Sequence, residues 1–279
     1  MEVIIAEHSG FCFGVERAID IVLQASKDSS HVATFGPIIH NPQVVEGLEK
    51  MGVNVIHSTS EVQDNMNVVI RSHGVEKSVK ESIIENAAEV TDATCPFVEK
   101  AQKQAEIFSQ ECDAIVVLGE KEHPEVKGII SFSEGEYFVV ADVEEASNLP
   151  FRKKYGFLAQ TTQNNEIFKK ISAILRSKCE ELKTANTICS ATGRRQNATA
   201  ALAKQVEVMV VVGGKNSANT TRLYRLCKEI CPRTYHIETP QELTKDMFLG
   251  VSMVGLTAGA STPKSFVCKV REYILEVSR

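Results

Sequence analysis

The sequence predicts an α/β protein made of three related units, and three observations carry that prediction. Short apolar β-type runs alternate with helix-like segments along all 279 residues, the pattern of parallel sheets covered by helices. Three of the eight cysteines, Cys12, Cys95 and Cys189, each follow an apolar stretch and precede a helix-like one. They stand 83 and 94 residues apart, close to a third of the length, which suggests one metal cluster held from three directions by one thiolate per unit. The repeat lies in spacing and context, not in alignable sequence. Three thiolates on an iron–sulfur cube leave one iron open for chemistry.

Taken in order, the strand-type runs are 3–6, 67–71, 114–119, 137–140, 155–159, 206–213 and 252–257. Each is rich in Val, Ile, Leu, Tyr or Phe, which fit a pleated surface. The helix-like segments are 14–26, 42–51, 77–87, 97–109, 165–178, 195–203 and 217–229. The cysteine loops Glu7-His8-Ser9-Gly10-Phe11-Cys12-Phe13-Gly14, Thr91-Asp92-Ala93-Thr94-Cys95-Pro96 and Thr187-Ile188-Cys189-Ser190-Ala191-Thr192 leave a strand and enter a helix, where open α/β sheets place function. A helix N-terminus behind a cysteine favours the thiolate and lowers its pKa from about 8.5. One such cysteine reads as a buried structural residue; three in matching contexts do not.

A net charge of −5 and the lack of a long Lys/Arg cluster or interleaved aromatic platform argue against a nucleic-acid partner. The first residues lack the basic region and long apolar core of a signal peptide, and the run at 206–212 is too short to span a bilayer. No membrane is expected, and the location should be cytoplasmic. In that compartment eight cysteines read as thiols or metal ligands, not as a disulfide framework. Cys112, Cys179, Cys227, Cys231 and Cys268 read as structural, with Cys179 and Cys268 in helix-like segments and Cys227/Cys231 an alternative metal half-site.

Three histidines occupy punctuated loops: His40 in Gly36-Pro37-Ile38-Ile39-His40-Asn41-Pro42, His73 in Arg71-Ser72-His73-Gly74, and His123 in Gly119-Glu120-Lys121-Glu122-His123-Pro124-Glu125. Together they could bind an anion, or zinc, since three imidazoles are a catalytic zinc set. Taken singly they read as satisfied loop or core residues, as do His8, His31, His57 and His236. Glu125 would be a proton donor if a cavity wall desolvated it. Gln160-Thr161-Thr162 adds hydroxyls at another strand end. The loop Gly213-Gly214-Lys215-Asn216-Ser217-Ala218-Asn219 suits phosphate without being a Walker loop, and Thr257-Ala258-Gly259-Ala260-Ser261-Thr262-Pro263 repeats its logic. Ordinary capping explains either loop alone. Two such loops and three histidines argue for a buried, strongly anionic ligand such as a diphosphate.

With these residues assembled, the chain resembles the hydroxymethylbutenyl diphosphate reductases, the IspH or LytB family, over essentially its whole length. The resemblance rests on Gly10-Phe11-Cys12-Phe13-Gly14-Val15, the His40 and His73 motifs, Asp92-Ala93-Thr94-Cys95-Pro96, His123-Pro124-Glu125, Gln160-Thr161-Thr162, Cys189-Ser190-Ala191-Thr192 with Arg195-Gln196, Asn216-Ser217-Ala218-Asn219 and Ala258-Gly259-Ala260-Ser261, all in order. It implies a trefoil of three pseudo-threefold-related α/β units, 14–96, 97–188 and 189–279, the last completed by the N-terminal strand at 1–13, around a [4Fe–4S] cluster ligated by Cys12, Cys95 and Cys189. It implies a substrate diphosphate surrounded by His40, His73, His123, Ser217, Ala218, Asn219 and Ser261, with Glu125 as proton source working with Thr161, or with its neighbour Thr162. Two positions depart from the family: Ala218 stands where many members have a second serine, and Gly193 where a larger polar residue is usual. The sequence offers no physical account of Gly193.

The resemblance implies reductive dehydroxylation of (E)-4-hydroxy-3-methylbut-2-enyl diphosphate to isopentenyl and dimethylallyl diphosphates, the last step of the non-mevalonate (MEP) isoprenoid pathway. Two electrons from a donor such as ferredoxin or flavodoxin and two protons convert the hydroxyl to water. The open iron would bind the leaving oxygen and Glu125 would protonate it. Two other classes compete with this reading. A quinolinate synthase-like hydro-lyase shares three cysteines and an open iron but needs no net electrons. A non-enzymatic metal or redox sensor would bind metal without turnover.

Overall fold

Five consecutive apolar residues at 114–118 and five more at 208–212 are almost fully buried, as happens where a parallel strand is covered on both faces. The structure is a computed structural model describing residues 1–29 and 31–278. In chain order the elements are β1 (Glu2–Ile5), α1 (Phe13–Asp28), β2 (Val32–Phe35), α2 (Pro42–Glu49), β3 (Asn54–Ile56), β4 (Asn67–Ile70), α3 (Lys77–Asn86), β5 (Glu89–Asp92), α4 (Pro96–Glu111), β6 (Ala114–Leu118), α5 (Pro124–Ile130), β7 (Glu136–Val140) and α6 (Val143–Ser147). They continue with β8 (Arg152–Ala159), α7 (Asn165–Leu175), β9 (Cys179–Thr184), α8 (Ser190–Ala203), β10 (Val208–Val212), α9 (Ala218–Ile230), β11 (Thr234–Ile237), β12 (Met253–Ala258) and α10 (Lys264–Val277).

The strands form three four-stranded parallel sheets, ordered β3-β2-β4-β5, β7-β6-β8-β9 and β11-β10-β12-β1. Each has the same pattern, with the first and third strands central and the fourth at one edge. In the third sheet that edge is supplied by the chain's beginning, where Val3 lies opposite Val254 and Ile5 opposite Leu256. A parallel sheet of this order changes direction between its first and third strands, and the loops leaving those two strands flank the crevice where such folds bind ligands.

Alternation along the central strands divides the core between covering helices. Val208, Val210 and Val212 pack with Val267, Val270 and Ile274 of α10, whereas Met209 and Val211 face Leu202 of α8 and Leu223 of α9. On β6, Val116 and Leu118 meet Phe168, Ile171 and Leu175 of α7, while Ile115 and Val117 meet Ala101, Ala105 and Phe108 of α4. Each of the Val, Leu, Ile, Phe and Met side chains among them contributes about 1.5–3 kcal/mol of hydrophobic burial.

The described chain divides into two compact units: Met1–Glu16 with Ile39–Val45 and Ser190–Arg279, and Arg17–Ile38 with Glu46–Cys189. The first contains the β11-β10-β12-β1 sheet and the second the other two sheets. Two sequence expectations need correction. Cys179, expected in a helix, opens the edge strand β9, and the helix expected to begin at 195 begins at Ser190, directly after Cys189. Among the described residues no helix is long and apolar enough to cross a membrane.

Candidate active site

In the second unit, Pro124 starts α5 with its φ already suited to a helix. His123 caps that helix, its Nδ1 accepting the Glu125 N–H at 3.1 Å. An accepting Nδ1 bears no proton, so this hydrogen bond assigns the neutral ring's proton to Nε2. His73, in the loop after β4, meets His123 edge-on with ring centroids 5.7 Å apart. Its loop is anchored by Ser72, whose N–H and Oγ both donate to the Ile38 carbonyl. Gly74 turns the chain at φ +70°, and a Cβ there would come within 2.8 Å of the Gln102 side chain.

Glu125 is 2% exposed. Its Oε1 accepts the Thr161 N–H at 2.6 Å and its Oε2 accepts the Thr161 hydroxyl at 3.0 Å. Burial raises the carboxyl to about 7, against the lowering effect of both Thr161 hydrogen bonds. The loops leaving β6 and β8 are thus joined by an acid that is about half protonated near neutrality. Thr161, not Thr162, makes these bonds.

In the first unit, the equivalent loops leave β10 and β12. Ser217 caps α9, its Oγ accepting the Thr220 N–H at 3.4 Å, and Ala218 and Asn219 open the helix, both nearly buried. Asn219 Nδ2 is a buried donor with no partner among the described residues, as expected where an acceptor atom of a ligand belongs. Ser261 Oγ donates to the His40 carbonyl at 3.1 Å, and Asn41 Nδ2 donates to the Ser261 carbonyl at 2.7 Å. His40, Ser261 and the β12 end are therefore one assembly. Lys215 is engaged elsewhere in this unit: its N–H donates to Glu238 at 2.7 Å and its Nζ pairs with Glu242 at 2.8 Å.

The three cysteines follow the fourth strand of each sheet, with Cys12 after β1, Cys95 after β5 and Cys189 after β9. Each N–H donates to a carbonyl in the loop of the neighbouring third strand: Cys12 to Ala260 at 3.1 Å, Cys95 to Ser72 at 3.0 Å and Cys189 to Thr161 at 2.9 Å. A thiol at a helix start is thereby tied, three times over, to a loop bearing a candidate substrate group: Ser261, His73 or Thr161. All three thiols are half-buried and outside any disulfide, and each directly precedes a helix. This donor chemistry fits an iron–sulfur cluster.

Cys12 and His40 belong to the first unit, and Cys95, Cys189, His73 and His123 to the second. Among the described residues no three Cys, His, Asp or Glu side chains stand grouped to hold a metal ion. Cys227 and Cys231 are buried, and burial pushes the Cys227 thiol up to about 12, so Cys227 is a poor thiolate ligand for the alternative half-site. The sequence reading assigned no role to Asn41 or Arg195. Asn41 holds a carbonyl 220 residues away, and Arg195 holds carbonyls 185 and 63 residues away.

A family model described as LytB protein matches residues 3–275. The chain belongs to the LytB family. Relatives of this LytB chain include the 4-hydroxy-3-methylbut-2-enyl diphosphate reductase of Geobacter sulfurreducens, 49% identical over 99% of this chain and 98% of the relative. The reductase of the same name from Syntrophotalea carbinolica is 46% identical over the full length of both. A solved structure of (E)-4-hydroxy-3-methyl-but-2-enyl diphosphate reductase, described as the terminal enzyme of the non-mevalonate pathway, matches with a TM-score of 0.71 and 42% identity over 99% of this chain and 100% of that one. The E-1-hydroxy-2-methyl-but-2-enyl-4-diphosphate reductase from Plasmodium falciparum matches with a TM-score of 0.91 and 27% identity over 99% of this chain and 88% of its own. The LytB fold expected from the sequence, α/β with repeated parallel sheets, is the fold shared with these structures.

Proposed function

We infer that the protein reduces (E)-4-hydroxy-3-methylbut-2-enyl diphosphate to isopentenyl and dimethylallyl diphosphates, the last step of the non-mevalonate isoprenoid pathway. The observation that carries this reading is the Glu125–Thr161 pair, a buried acid near neutrality in a chain 49% identical almost end to end to a reductase of that name. Removal of the hydroxyl as water consumes two electrons and two protons. A proton held on Glu125 can be shared with Thr161 Oγ, which turns from donor to acceptor as the carboxyl charges and discharges. The pair can then pass a proton to an oxygen that touches the threonine hydroxyl.

His40, His73, His123, Ser217, Asn219 and Ser261 are the proposed diphosphate partners, with the start of α9 supplying further N–H groups. The Nε2–H tautomer of His123 and the buried Asn219 Nδ2 support that assignment, because both are donors suited to phosphate oxygen. Cys12, Cys95 and Cys189 would hold the [4Fe–4S] cluster, which supplies single electrons and a Lewis-acidic iron when bound. A ferredoxin or flavodoxin in the cytoplasm is the proposed electron donor. The repeated strand order supports three units, 14–96, 97–188 and 189–279, the last closed by residues 1–13.

The test is anaerobic turnover by cluster-reconstituted protein, following oxidation of reduced viologen on addition of the hydroxymethyl diphosphate. Substrate-dependent oxidation yielding both five-carbon diphosphates is the expected result. An intact cluster without turnover would overturn the reading in favour of a hydro-lyase or a sensor.

A further inference from the structure

One face of α8 carries two buried polar side chains a turn apart that the chemistry above does not use. Arg195 is 2% exposed and Thr199 is fully buried. Arg195 Nη1 donates to the Gly10 carbonyl at 2.7 Å and to the Ala258 carbonyl at 3.2 Å. Thr199 Oγ1 lies 2.9 Å from Thr257 Oγ1, which in turn lies 3.4 Å from Ser9 Oγ. These contacts grip two segments of the first unit. One is the loop from β1 to Cys12, and the other is the end of β12 that leads to Ser261.

The Cys12 loop is shaped at some cost. His8 adopts φ 61° and Gly10 φ 96°, and a non-glycine residue in the left-handed region persists only where its surroundings fix it. The Cys12 N–H closes the circuit by donating to Ala260, next to Ser261. Apolar packing could anchor a helix as well as Arg195 does, without burying a cation. A guanidinium adds a charge that no accessible pH removes, and burial makes that charge felt over a longer range. The arrangement has a parallel at a second thiol, where Arg17 Nη1 donates to the Thr94 carbonyl at 3.0 Å, one residue ahead of Cys95.

We propose that Arg195 is a positioning residue that locks the Cys12 loop to the Ser261 loop and sets a permanent positive charge beside both the cluster ligand and the diphosphate site. This rests on the reductase reading. The charge favours the reduced, more negative cluster and the anionic substrate, while the hydrogen-bond fork fixes the distance between the groups that hold them.

The experiment compares reconstituted full-length parent, R195K and R195Q by EPR-monitored redox titration and steady-state kinetics. Amide exchange at Cys12 is measured in the cluster-free proteins. R195Q is expected to weaken reduction about tenfold, a midpoint about 59 mV more negative for one electron, and to raise KM about tenfold. R195K, which keeps the charge but not the fork, is expected to stay within threefold of the parent in the reduction equilibrium. Both variants should exchange the Cys12 amide at least tenfold faster. Cluster uptake by R195K but not by R195Q would also support the role of the charge. Parental potential and KM in R195Q, or equal potential shifts in both variants, would overturn it. A parent that binds its cluster without turnover would defeat the reductase reading, whereas the potentials and the exchange rates would still decide the clamp and its charge.

Discussion

Glu125 receives hydrogen bonds on both carboxylate oxygens from one residue, Thr161, at 2.6 Å from the backbone and 3.0 Å from the hydroxyl. Two donors would ordinarily hold a carboxylate below its usual range, yet burial outweighs them and the group titrates at about 7. Thr161 therefore restrains how far the acid rises as well as fixing where it points. The same residue's carbonyl accepts the Cys189 N–H at 2.9 Å, so the proposed proton donor and the candidate cluster ligand share one backbone support.

Removing the acid or its hydroxyl partner should have separable effects. E125Q should bind cluster and substrate but lose roughly 10²–10⁴ of kcat, the usual worth of a positioned general acid. T161V removes one lowering hydrogen bond and leaves the backbone one, so the carboxyl rises further. Because the protonated form is the donor, the alkaline limb of the kcat/KM profile should start near pH 7 and move upward in T161V. An unmoved limb would show that another group sets it.

Stability should depend on pH through the same residue. A carboxyl raised from 4.5 to about 7 binds its proton more tightly folded than unfolded. Its favourable contribution is thus present below the unfolded value and is lost as pH rises through 4.5 towards 7. The raised pKa corresponds to about 3 kcal/mol. Urea unfolding of cluster-free protein should show E125Q gaining on the parent by about that amount between pH 4.5 and 8. A pH-independent difference would contradict the assigned titration.

His123 combines a structural task at Nδ1 with a proposed ligand task at Nε2. H123A should lose about 1 kcal/mol of stability with the helix cap, whereas H123N retains a capping side chain and should stay within about half of that. Both should raise KM for the diphosphate about tenfold, the worth of one charge-assisted hydrogen bond. Thermal unfolding and kinetics on the same preparations separate the two tasks. Equal stability losses in the two variants would remove the cap from the account.

The parts of this architecture that were legible in the sequence are those fixed by local pattern. The central strand Val208–Val212 is apolar throughout because helices cover both its faces. The edge strand β9, Cys-Glu-Glu-Leu-Lys-Thr, pairs only with β8 and leaves much of itself to solvent, so it has no apolar run to read. The start of α8 was missed for a related reason: Ser190-Ala191-Thr192-Gly193 lacks helical apolar spacing. Glu125 was legible as a candidate, but its hydrogen-bond partner Thr161 lies 36 residues away. Asn41 and Arg195 reach carbonyls 220 and 185 residues away, which no local window contains.

The cysteines should divide sharply by context. C12S, C95S and C189S should each abolish the four-iron absorbance and EPR signal after reconstitution. Cys268 is exposed and Cys227 is a buried, high-pKa thiol, so C268S and C227A should retain both signals. Iron and sulfide analysis of the five variants tests the assignment. Retention of a four-iron cluster by any of the first three would remove that thiol from the ligand set.

Asn219 and Ala218 test whether the start of α9 holds the diphosphate. Asn219 Nδ2 is buried and has no partner among the described residues, so N219A gives up no protein hydrogen bond at that atom. It should raise KM about tenfold, consistent with one hydrogen bond to a charged ligand, while leaving thermal stability within about 1 kcal/mol. Ala218 stands nearly buried at the first turn of the helix, beside the cap Ser217. A218S adds a hydroxyl there and should lower KM by about two- to tenfold, as expected for one added neutral hydrogen bond. Inorganic diphosphate, tested as a competitive inhibitor, should follow both changes in the same direction, because it reports the anion site without the carbon chain. If KM and diphosphate inhibition were unaltered in both variants, the anion would have to be held elsewhere, and the loop after β10 would revert to an ordinary capped helix start.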